Sequence, residues 1–504
     1  MIILLIGQLT RGALVMGINN NREFNTINHF RGNKWLILII TVLFPFMATL
    51  DTSIVTVALP VLSDKLEISS SGVTWIVTAN LIVMAGSILF FGKLGDLKGQ
   101  TKVFQAGVIL FTIGSYFSGL STNFYTLIIA RIIQAVGASA TLANSHAIIS
   151  KTFTKADRGR ALGINGAFVA LGTLSGPSLG GLILSITDWQ YIFWINVPIG
   201  ILIFIMGLLF YPKESKSLGK IDLPGTILFG LSVSSFFIGI QEGRNRGYLN
   251  PIILSCFIGF FVSFLLFIRL QKKQVNPLLD MGIFKSKWFT ISIFCAFTSY
   301  MAISCYNLLQ PFYLQKVLQM SPATSGIIMT IYPLIIVLIS PISGFLSDRI
   351  AGEKLTLIGL GFTCLGLFLM SSLSLLTPLA LIILYVGIMA MGNGFFQSPN
   401  NSIVMSSLAP KDYGVGGSIN ALARTIGQTT GIAISNILLY TGMSWKLNRH
   451  VTDIIPGQES AFLFGMKMAY ICAGVISLIG FLVTLIRLYH FLHKVKSQEV
   501  RNKK

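Results

Sequence analysis

The 504-residue chain has few charged side chains, and this shortage excludes an ordinary soluble protein. Only 11% of its residues are Asp, Glu, Lys or Arg, whereas 53% are apolar. Soluble domains carry roughly 25% charged residues, so a single soluble core could not hide this much apolar surface. The composition therefore predicts a polytopic membrane protein.

Cysteines are scarce, and motifs for nucleotide binding or catalysis are missing. The five cysteines lie in apolar runs without CxxC or metal spacing, which indicates inert thiols buried in the membrane. The sequence has no GxxxxGK[ST] loop, which disfavours an ATP-driven pump. Nothing indicates a catalytic triad. We therefore expect no enzyme, no metal site and no cofactor.

Fourteen apolar segments are candidates to cross a bilayer, for which a helix needs about 20 residues. They lie at about 35–62, 72–92, 103–121, 124–149, 161–186, 190–211, 223–242, 251–270, 288–311, 323–346, 355–376, 378–404, 416–442 and 462–489. Their connections are short, which predicts no inserted soluble domain. An even number of spans places both termini on the same side of the membrane.

The net charge of +20 could suggest a nucleic-acid partner, but membrane topology accounts for it. Most of the 37 Lys and Arg residues fall in the N-terminal region, the alternate loops and the C-terminal tail. Positive residues concentrate on the cytoplasmic side of membrane proteins. The pattern therefore predicts a multi-pass membrane protein with cytoplasmic termini and no nucleic-acid partner, and we expect its location to be a bacterial plasma membrane.

The second half of the chain is a diverged copy of the first. At a nearly constant spacing, the matching pairs are Asp157 and Asp412, Gly159 and Gly414, Asn165 and Asn420, Gly172 and Gly427, and Gly176 and Gly431. The predicted organisation is a cytoplasmic segment 1–34, a six-helix half 35–211, an inserted two-helix hairpin with flanking loops 212–287, a second six-helix half 288–490 and a basic cytoplasmic tail 491–504. Two such repeats with a site between them are typical of secondary transporters.

Two charges lie inside spans of the first half only, because Asp51 aligns near Ala302 in the repeat and Arg131 aligns with Tyr385. A charge at the bilayer centre costs about 3 kcal/mol, so Asp51 should face protein or water. The two residues lie at similar depths, and we expect them to interact directly or through water. The alternatives are a permanent salt bridge that locks Asp51 and an Arg131 that reaches the outer headgroups.

Four motifs carry a resemblance to a known family: LDTSIVTVALP from Leu50, GKLGDLKGQTK from Gly92, RIIQAVGASA from Arg131 and GTLSGPSLGG from Gly172. In this order they resemble the signatures of the major facilitator superfamily, of the fourteen-span drug:proton antiporter family (QacA/EmrB type). The resemblance implies an all-α polytopic membrane protein with the major facilitator fold. It would have 14 transmembrane helices, arranged as 6+2+6 with two pseudo-symmetric halves.

The resemblance also implies roles for particular residues. Asp51 and Arg131 would couple proton movement to transport, and Asp96 would lie against a helix N-terminus and steady the outward-facing state. The conformational loop would comprise Gly92, Gly95, Asp96 and Gly99, with Gly344, Asp348 and Arg349 in the second half. The antiporter motif would comprise Gly172, Gly176, Pro177, Gly180 and Gly181. The simpler interpretations are a basic cytoplasmic turn and a face of small residues for helix packing.

Several polar side chains inside the spans are candidates for the wall of a substrate cavity. They are Gln134, Asn144, Asn307, Gln310, Asn393 and Gln397. The alternative for each is a hydrogen bond between neighbouring helices, which is the commoner use of such residues in membranes.

The predicted function is multidrug efflux by proton-coupled antiport, with alternating access and no cofactor other than the proton gradient. The partners would be protons, the lipid bilayer and a small amphipathic substrate, and the protein would act as a monomer. A single buried acid favours neutral or monocationic substrates over dications. The alternatives are a dedicated exporter of one antibiotic, siderophore or lipid, and a membrane sensor or scaffold that transports nothing.

Overall fold

The computed structural model describes residues 33–153, 155–212, 221–274, 277–279, 281–347, 350–408 and 413–502. Within these ranges the chain forms long helices and no strand. The predicted segment 1–34 falls almost entirely outside them. The all-helical fold is confirmed, and fourteen long helices correspond to the fourteen predicted spans.

The fourteen long helices follow one another with short connections. They are α1 Lys34–Lys65, α2 Trp75–Lys98, α3 Gln100–Leu120, α4 Phe124–Thr152, α5 Lys155–Ile186, α6 Tyr191–Phe210, α7 Leu223–Arg246, α8 Pro251–Lys273, α9 Lys287–Phe312, α10 Pro322–Ser347, α11 Gly352–Met370, α12 Leu379–Ser406, α13 Tyr413–Leu447 and α14 Glu459–Asn502. A π-helical turn, Tyr313–Val317, follows α9. The face that holds Lys34 and Asn502 is called the terminal face below, and the opposite face is called the distal face.

Local sequence explains where several helices begin. The side chain of Asn123 accepts from the backbone of Thr126, and the two residues form a capping box at the start of α4. The side chains of Asp222 and Asn250 also accept from backbone N–H groups at the starts of α7 and α8, and each helix has a proline in its first turn. Such caps satisfy backbone N–H groups that the helix itself cannot bond. Between α2 and α3, Gly99 adopts a φ of 103°, which side-chain-bearing residues rarely adopt.

The two halves repeat the same packing. In the first half α3 packs on α4 and α1 on α5, and in the second half α11 packs on α12 and α9 on α13. The halves meet at two seams, α2 against α13 and α5 against α10. The hairpin of α7 and α8 packs through α7 on α2 and α13. Gly86 and Gly230 face each other in the α2–α7 contact, where their backbones approach closely.

Thirteen of the described helices are long and apolar enough to cross a membrane, and α13 is the exception. Its 35 residues carry an inclined row at every fourth position: Asn420, Arg424, Gln428, Ile432 and Asn436. Rows of this spacing form ridges on a helix surface. Its polar members lower the mean hydropathy of α13, which nevertheless packs between α2, α9 and α14.

The halves are closed against each other at the distal face. Asp64 at the end of α1 pairs with Lys316 after α9, and Asp453 accepts hydrogen bonds from the backbone and hydroxyl of Ser70. Asn436 of α13 donates to the backbone of Ser71. A small cavity lies deeper in the seam and is lined by residues of α1, α2, α9 and α13: Thr56, Leu59, Thr74, Val77, Asn307, Leu308 and Ile432.

Candidate functional site

A buried ion pair lies in the interior of the first half. Arg131 Nη1 of α4 donates to Asp51 Oδ2 of α1 at 2.7 Å. Asp51 is 2% exposed and Arg131 is 1% exposed. The structure thus brings together the two charges that the sequence places inside spans, and the contact is direct.

Two amides complete the surroundings of the Asp51 carboxylate. Gln134 Nε2 donates to Asp51 Oδ1 at 3.0 Å, and Asn196 Nδ2 of α6 donates to the same oxygen at 2.8 Å. Gln134 also accepts from Arg131 Nη1 and donates to the hydroxyl of Ser115 in α3. Oδ1 therefore receives the two amides, whereas Oδ2 receives the guanidinium.

The guanidinium of Arg131 is held from the other side by α2 and α6. Its Nε donates to the backbone oxygen of Ile76 at 3.4 Å, and its carbon lies 5.5 Å from the centre of the Phe193 ring. Asn80 donates to the backbone oxygen of Arg131. Five helices therefore contribute hydrogen-bonding groups to one closed network around Asp51 and Arg131, with α1, α2, α3, α4 and α6 each represented.

The hydrogen bonds around Asp51 would change if its carboxylate took up a proton. A carboxylate only accepts hydrogen bonds, whereas a carboxylic acid also donates one. Because both amides present N–H groups to Oδ1, a proton added to Asp51 belongs on Oδ2, where Arg131 now donates. The proton would displace the guanidinium and leave a buried cation without its counter-ion, so the network must rearrange.

In the described part of the second half, no ion pair corresponds to Asp51 and Arg131. Ala302, which occupies the position of Asp51 in the repeat, is fully buried. Nearby on α9, both ends of the Gln310 amide and the hydroxyl of Tyr306 are buried without a hydrogen-bond partner in the described part of the chain. Tyr306 stacks on Tyr332 of α10 with ring centres 4.9 Å apart. The region of Asp51 in the first half therefore holds an ion pair, whereas the matching region of α9 holds neutral polar groups.

The other cavity candidates occupy different surroundings. Gln134 is fully buried in the Asp51 network, and Asn393 accepts a hydrogen bond from Ser299 at 2.8 Å. Asn144 donates to the backbone of Phe91. Asn307 lines the small cavity in the seam, and Gln397 is half-buried on α12.

The residues of the predicted conformational loop lie at the terminal face. Gly95 packs so closely on Asn144 that a Cβ would overlap the amide of that residue, and Gly92 lies near Ser418 of α13. Asp96 is exposed and accepts a hydrogen bond from Gln100 Nε2 at 3.1 Å, in the first turn of α3. Gly344 lies near Ser398 of α12. Asp348 and Arg349 lie outside the described residues.

The glycines of α5 let this helix approach two neighbours. Side chains on Gly172 and Gly176 would overlap Thr49 and Ser53 of α1, and a Cβ on Gly180 would lie 3.2 Å from Ile54. The contacts between α5 and α10 include Gly181 against Pro322 and Ala323, and the Pro177 carbonyl against Gly326. The motif therefore fixes α5 to α1 and forms one of the two seams between the halves.

Replacing Gly326 with alanine is expected to destabilise the distal-closed arrangement by about 1–3 kcal/mol, because overpacking in a tight contact forces the backbones apart. The new Cβ would overlap the carbonyl oxygen of Pro177. The measurement is thermal unfolding in detergent, together with labelling from the distal side of a cysteine placed at Ser178 in the same seam. Gly163→Ala on α5 is the control, because a Cβ there meets nothing within 4 Å. Equal behaviour of the two variants would contradict the prediction.

The sequence did not single out Asn196, Ser115 or Phe193. Asn196 lies in the run WINVPIG, where it is the only side chain with an amide. A lone amide in a span is a signal for a buried hydrogen bond, but its partner depends on how α6 is rotated against α1. The fully buried Arg487 of α14 was also not singled out, and it bonds the hydroxyls of Ser292 and Thr356.

Two repeated six-helix halves, with a charge pair buried in one of them and a cavity in the seam between them, define a polytopic membrane transporter. The sequence pattern of the Major Facilitator Superfamily matches residues 41–286 and 292–504. The chain belongs to this superfamily, and within it resembles the fourteen-helix drug:proton antiporter type.

Two relatives and one solved structure illustrate the similarity. The riboflavin transporter RibZ of Clostridioides difficile is 35% identical over 458 residues, which cover 90% of this chain and 97% of RibZ. The multidrug resistance protein Stp of Mycobacterium tuberculosis is 31% identical over 424 residues, which cover 84% of this chain and 79% of Stp. A POT family transporter in complex with 5-aminolevulinic acid shares the fold, with a TM-score of 0.66, 14% identity, and coverage of 90% and 95%.

Proposed function

We propose that this protein is a proton-coupled secondary exporter of amphipathic compounds. The observation that carries the proposal is the closed network around Asp51 and Arg131. An intramembrane acid is costly and marks proton relays and substrate pathways in transporters. The relative Stp, named for multidrug resistance, supports a broad range of substrates.

Coupling follows from the two states of the carboxyl group. With Asp51 ionised, Arg131 and the amides hold α1, α4 and α6 together. With Asp51 protonated, the charge that balances Arg131 is lost, and the first half must repack. A ligand or proton shifts a two-state equilibrium only by its difference in affinity for the two states. Substrate and proton would thus favour opposite orientations of the cavity, which is antiport.

The distribution of Lys and Arg assigns the terminal face to the cytoplasm. The structure is closed at the distal face by Asp64 with Lys316 and by Ser70 with Asp453. In this proposal it is therefore the state that receives substrate from the cytoplasm or the inner leaflet. Energy comes from the proton gradient alone, and one chain suffices because it supplies both halves and both seams.

The second candidate is a transporter dedicated to one physiological cargo. The observation that favours it is the similarity to RibZ, which is named a riboflavin transporter and is matched over 97% of its length. A membrane sensor or scaffold is disfavoured, because the chain keeps the buried pair of Asp51 and Arg131 together with the two repeated halves of a transporter.

Transport in proteoliposomes tests the proposal and separates the candidates. The panel contains a neutral dye, the monocation ethidium, the anion carboxyfluorescein and riboflavin, each with an imposed pH gradient or with the gradient collapsed by an ionophore. We expect uphill movement of more than one compound only while the gradient persists. Movement of riboflavin alone supports the dedicated transporter. Uphill movement that survives collapse of the gradient contradicts proton coupling.

A further inference from the structure

Arg424 is a charged residue of α13 that the proposed coupling mechanism does not use. It lies eleven residues after Tyr413, about 16 Å along the helix axis, and it is half-buried. It belongs to the polar row of α13, between Asn420 and Gln428. The same row continues to Ile432, which lines the small cavity between the halves. Arg424 therefore faces the seam on the terminal side of that cavity.

No carboxylate lies within salt-bridge distance of Arg424 in the described part of the chain. The acids of the described helices lie at or near helix ends, with Asp51 as the exception. Both oxygens of Asp51 are already occupied inside the first half. An arginine at this depth costs about 3 kcal/mol relative to an apolar residue, and no acid among the described residues pairs with it.

An aromatic ring orients the guanidinium of Arg424. Its carbon lies 5.3 Å from the centre of the Tyr300 ring on α9. Such cation–π contact holds the planar guanidinium without consuming all of its N–H donors. On the opposite wall, the imidazole of His146 on α4 lies near Arg424. The terminal part of the seam therefore combines the cation of Arg424 with an aromatic surface.

We propose that the seam beside Arg424, on the terminal side of the small cavity, binds an organic anion, a planar aromatic compound whose carboxylate or similar acidic group pairs with Arg424. The inference rests on the proposed function, because it specifies the substrate class of the same transporter. A guanidinium presents a fork of donors that matches a carboxylate in a bidentate geometry. Tyr300 and the amide of Gln428, one turn further along α13, would contact the ring system. This substrate class differs from the neutral or monocationic compounds that the sequence favoured.

Equilibrium binding to the full-length protein in nanodiscs, without any gradient, tests the assignment. The probes are carboxyfluorescein, a fluorescein methyl ester whose phenol is also methylated so that it has no ionisable group, and ethidium. We expect the wild type to bind the carboxylate most tightly. Arg424→Gln should weaken carboxylate binding about tenfold to a hundredfold, the range expected for a lost charged hydrogen bond. Binding of the ester should change less than about twofold, since it makes no charged contact.

Two variants control for structural effects. Arg424→Lys keeps the charge but not the planar fork, and it should restore part of the carboxylate preference. Lys446→Gln removes a positive charge from an exposed position of the same helix and should leave the ranking of probes unchanged. A structural role for Arg424 would weaken all three probes together, and this outcome overturns the proposal, as does tighter binding of ethidium than of the carboxylate by the wild type.

The assay also separates this proposal from proton coupling. Binding selectivity is measured without a gradient, whereas coupling is measured by uphill transport. A carboxylate preference that depends on Arg424 together with transport that ignores the gradient would contradict only the coupling. Gradient-driven transport with no effect of Arg424→Gln on selectivity would contradict only the anion site.

Discussion

Replacing Asp51 with asparagine is expected to abolish gradient-driven transport while leaving substrate binding measurable. Asparagine has nearly the same shape, so Gln134 and Asn196 keep a neighbour of similar size, but it cannot take up and release a proton. In proteoliposomes, uphill efflux should fall to the level of empty vesicles. Equilibrium binding of the same compound in nanodiscs should weaken but remain measurable, because asparagine mimics the protonated state that disfavours substrate, whereas Asp51 itself does not line the cavity.

The matched control is Asp64→Asn, which makes the same chemical change on the same helix. Asp64 has a 65% exposed side chain and pairs with Lys316 at the distal face. Exposed ion pairs contribute about 0–1 kcal/mol, so this variant should keep gradient-driven efflux. Wild-type uphill efflux by Asp51→Asn would show that the ion pair is static and that the proton is carried elsewhere.

The second large effect concerns Arg131. Replacing it with glutamine leaves Asp51 as a buried charge with only amide partners, and breaking a buried pair in this way costs about 3–5 kcal/mol. We expect a clear fall in the unfolding temperature and loss of uphill transport. The double variant Asp51→Asn with Arg131→Gln removes both charges. It should recover most of the lost stability but no transport, which separates folding from function.

A double-mutant cycle with a second buried arginine provides the control. Arg487 is as buried as Arg131, but it bonds Ser292 and Thr356 in the other half. The effects of Asp51→Asn and Arg487→Gln on stability should add, because distant sites without shared partners are independent. If the Asp51–Arg131 cycle is also additive, the two charges do not stabilise each other and the proposed network is wrong.

The number of long helices and the proximity of Asp51 to Arg131 could be predicted from the sequence, whereas the direct contact between them could not. Both follow from one-dimensional quantities, the length of apolar runs and the distance of a residue from the end of its helix. The same logic fails partly at α13, whose polar row lowers its hydropathy although the helix packs among its neighbours. The partners of this polar row depend on the neighbouring helices, which the sequence does not specify.

The amide partners of Asp51 could not be predicted, because they depend on helix rotation. Gln134 was a cavity candidate. A rotation of α4 by part of a turn decides whether its side chain faces the seam or the interior of the first half. Asn196 reaches Asp51 from α6 across the interior of the first half. A helix that is apolar on all sides has no sequence pattern that fixes its rotation, so neither orientation could be predicted. For the same reason, the sequence alone could not decide whether Arg424 ends at a membrane surface or over Tyr300.

The hairpin of α7 and α8 packs on only one of the two seams between the halves. It covers the α2–α13 seam, and no large apolar side chain of α2 is exposed in the described residues. The α5–α10 seam has no such cover, and Ile327, Leu334 and Leu338 of α10 are exposed there. Acyl chains therefore reach the boundary between the halves from one side only. We therefore expect lateral pressure and lipid composition to act on the α5–α10 seam, and a lipophilic compound that enters from the bilayer to meet α10.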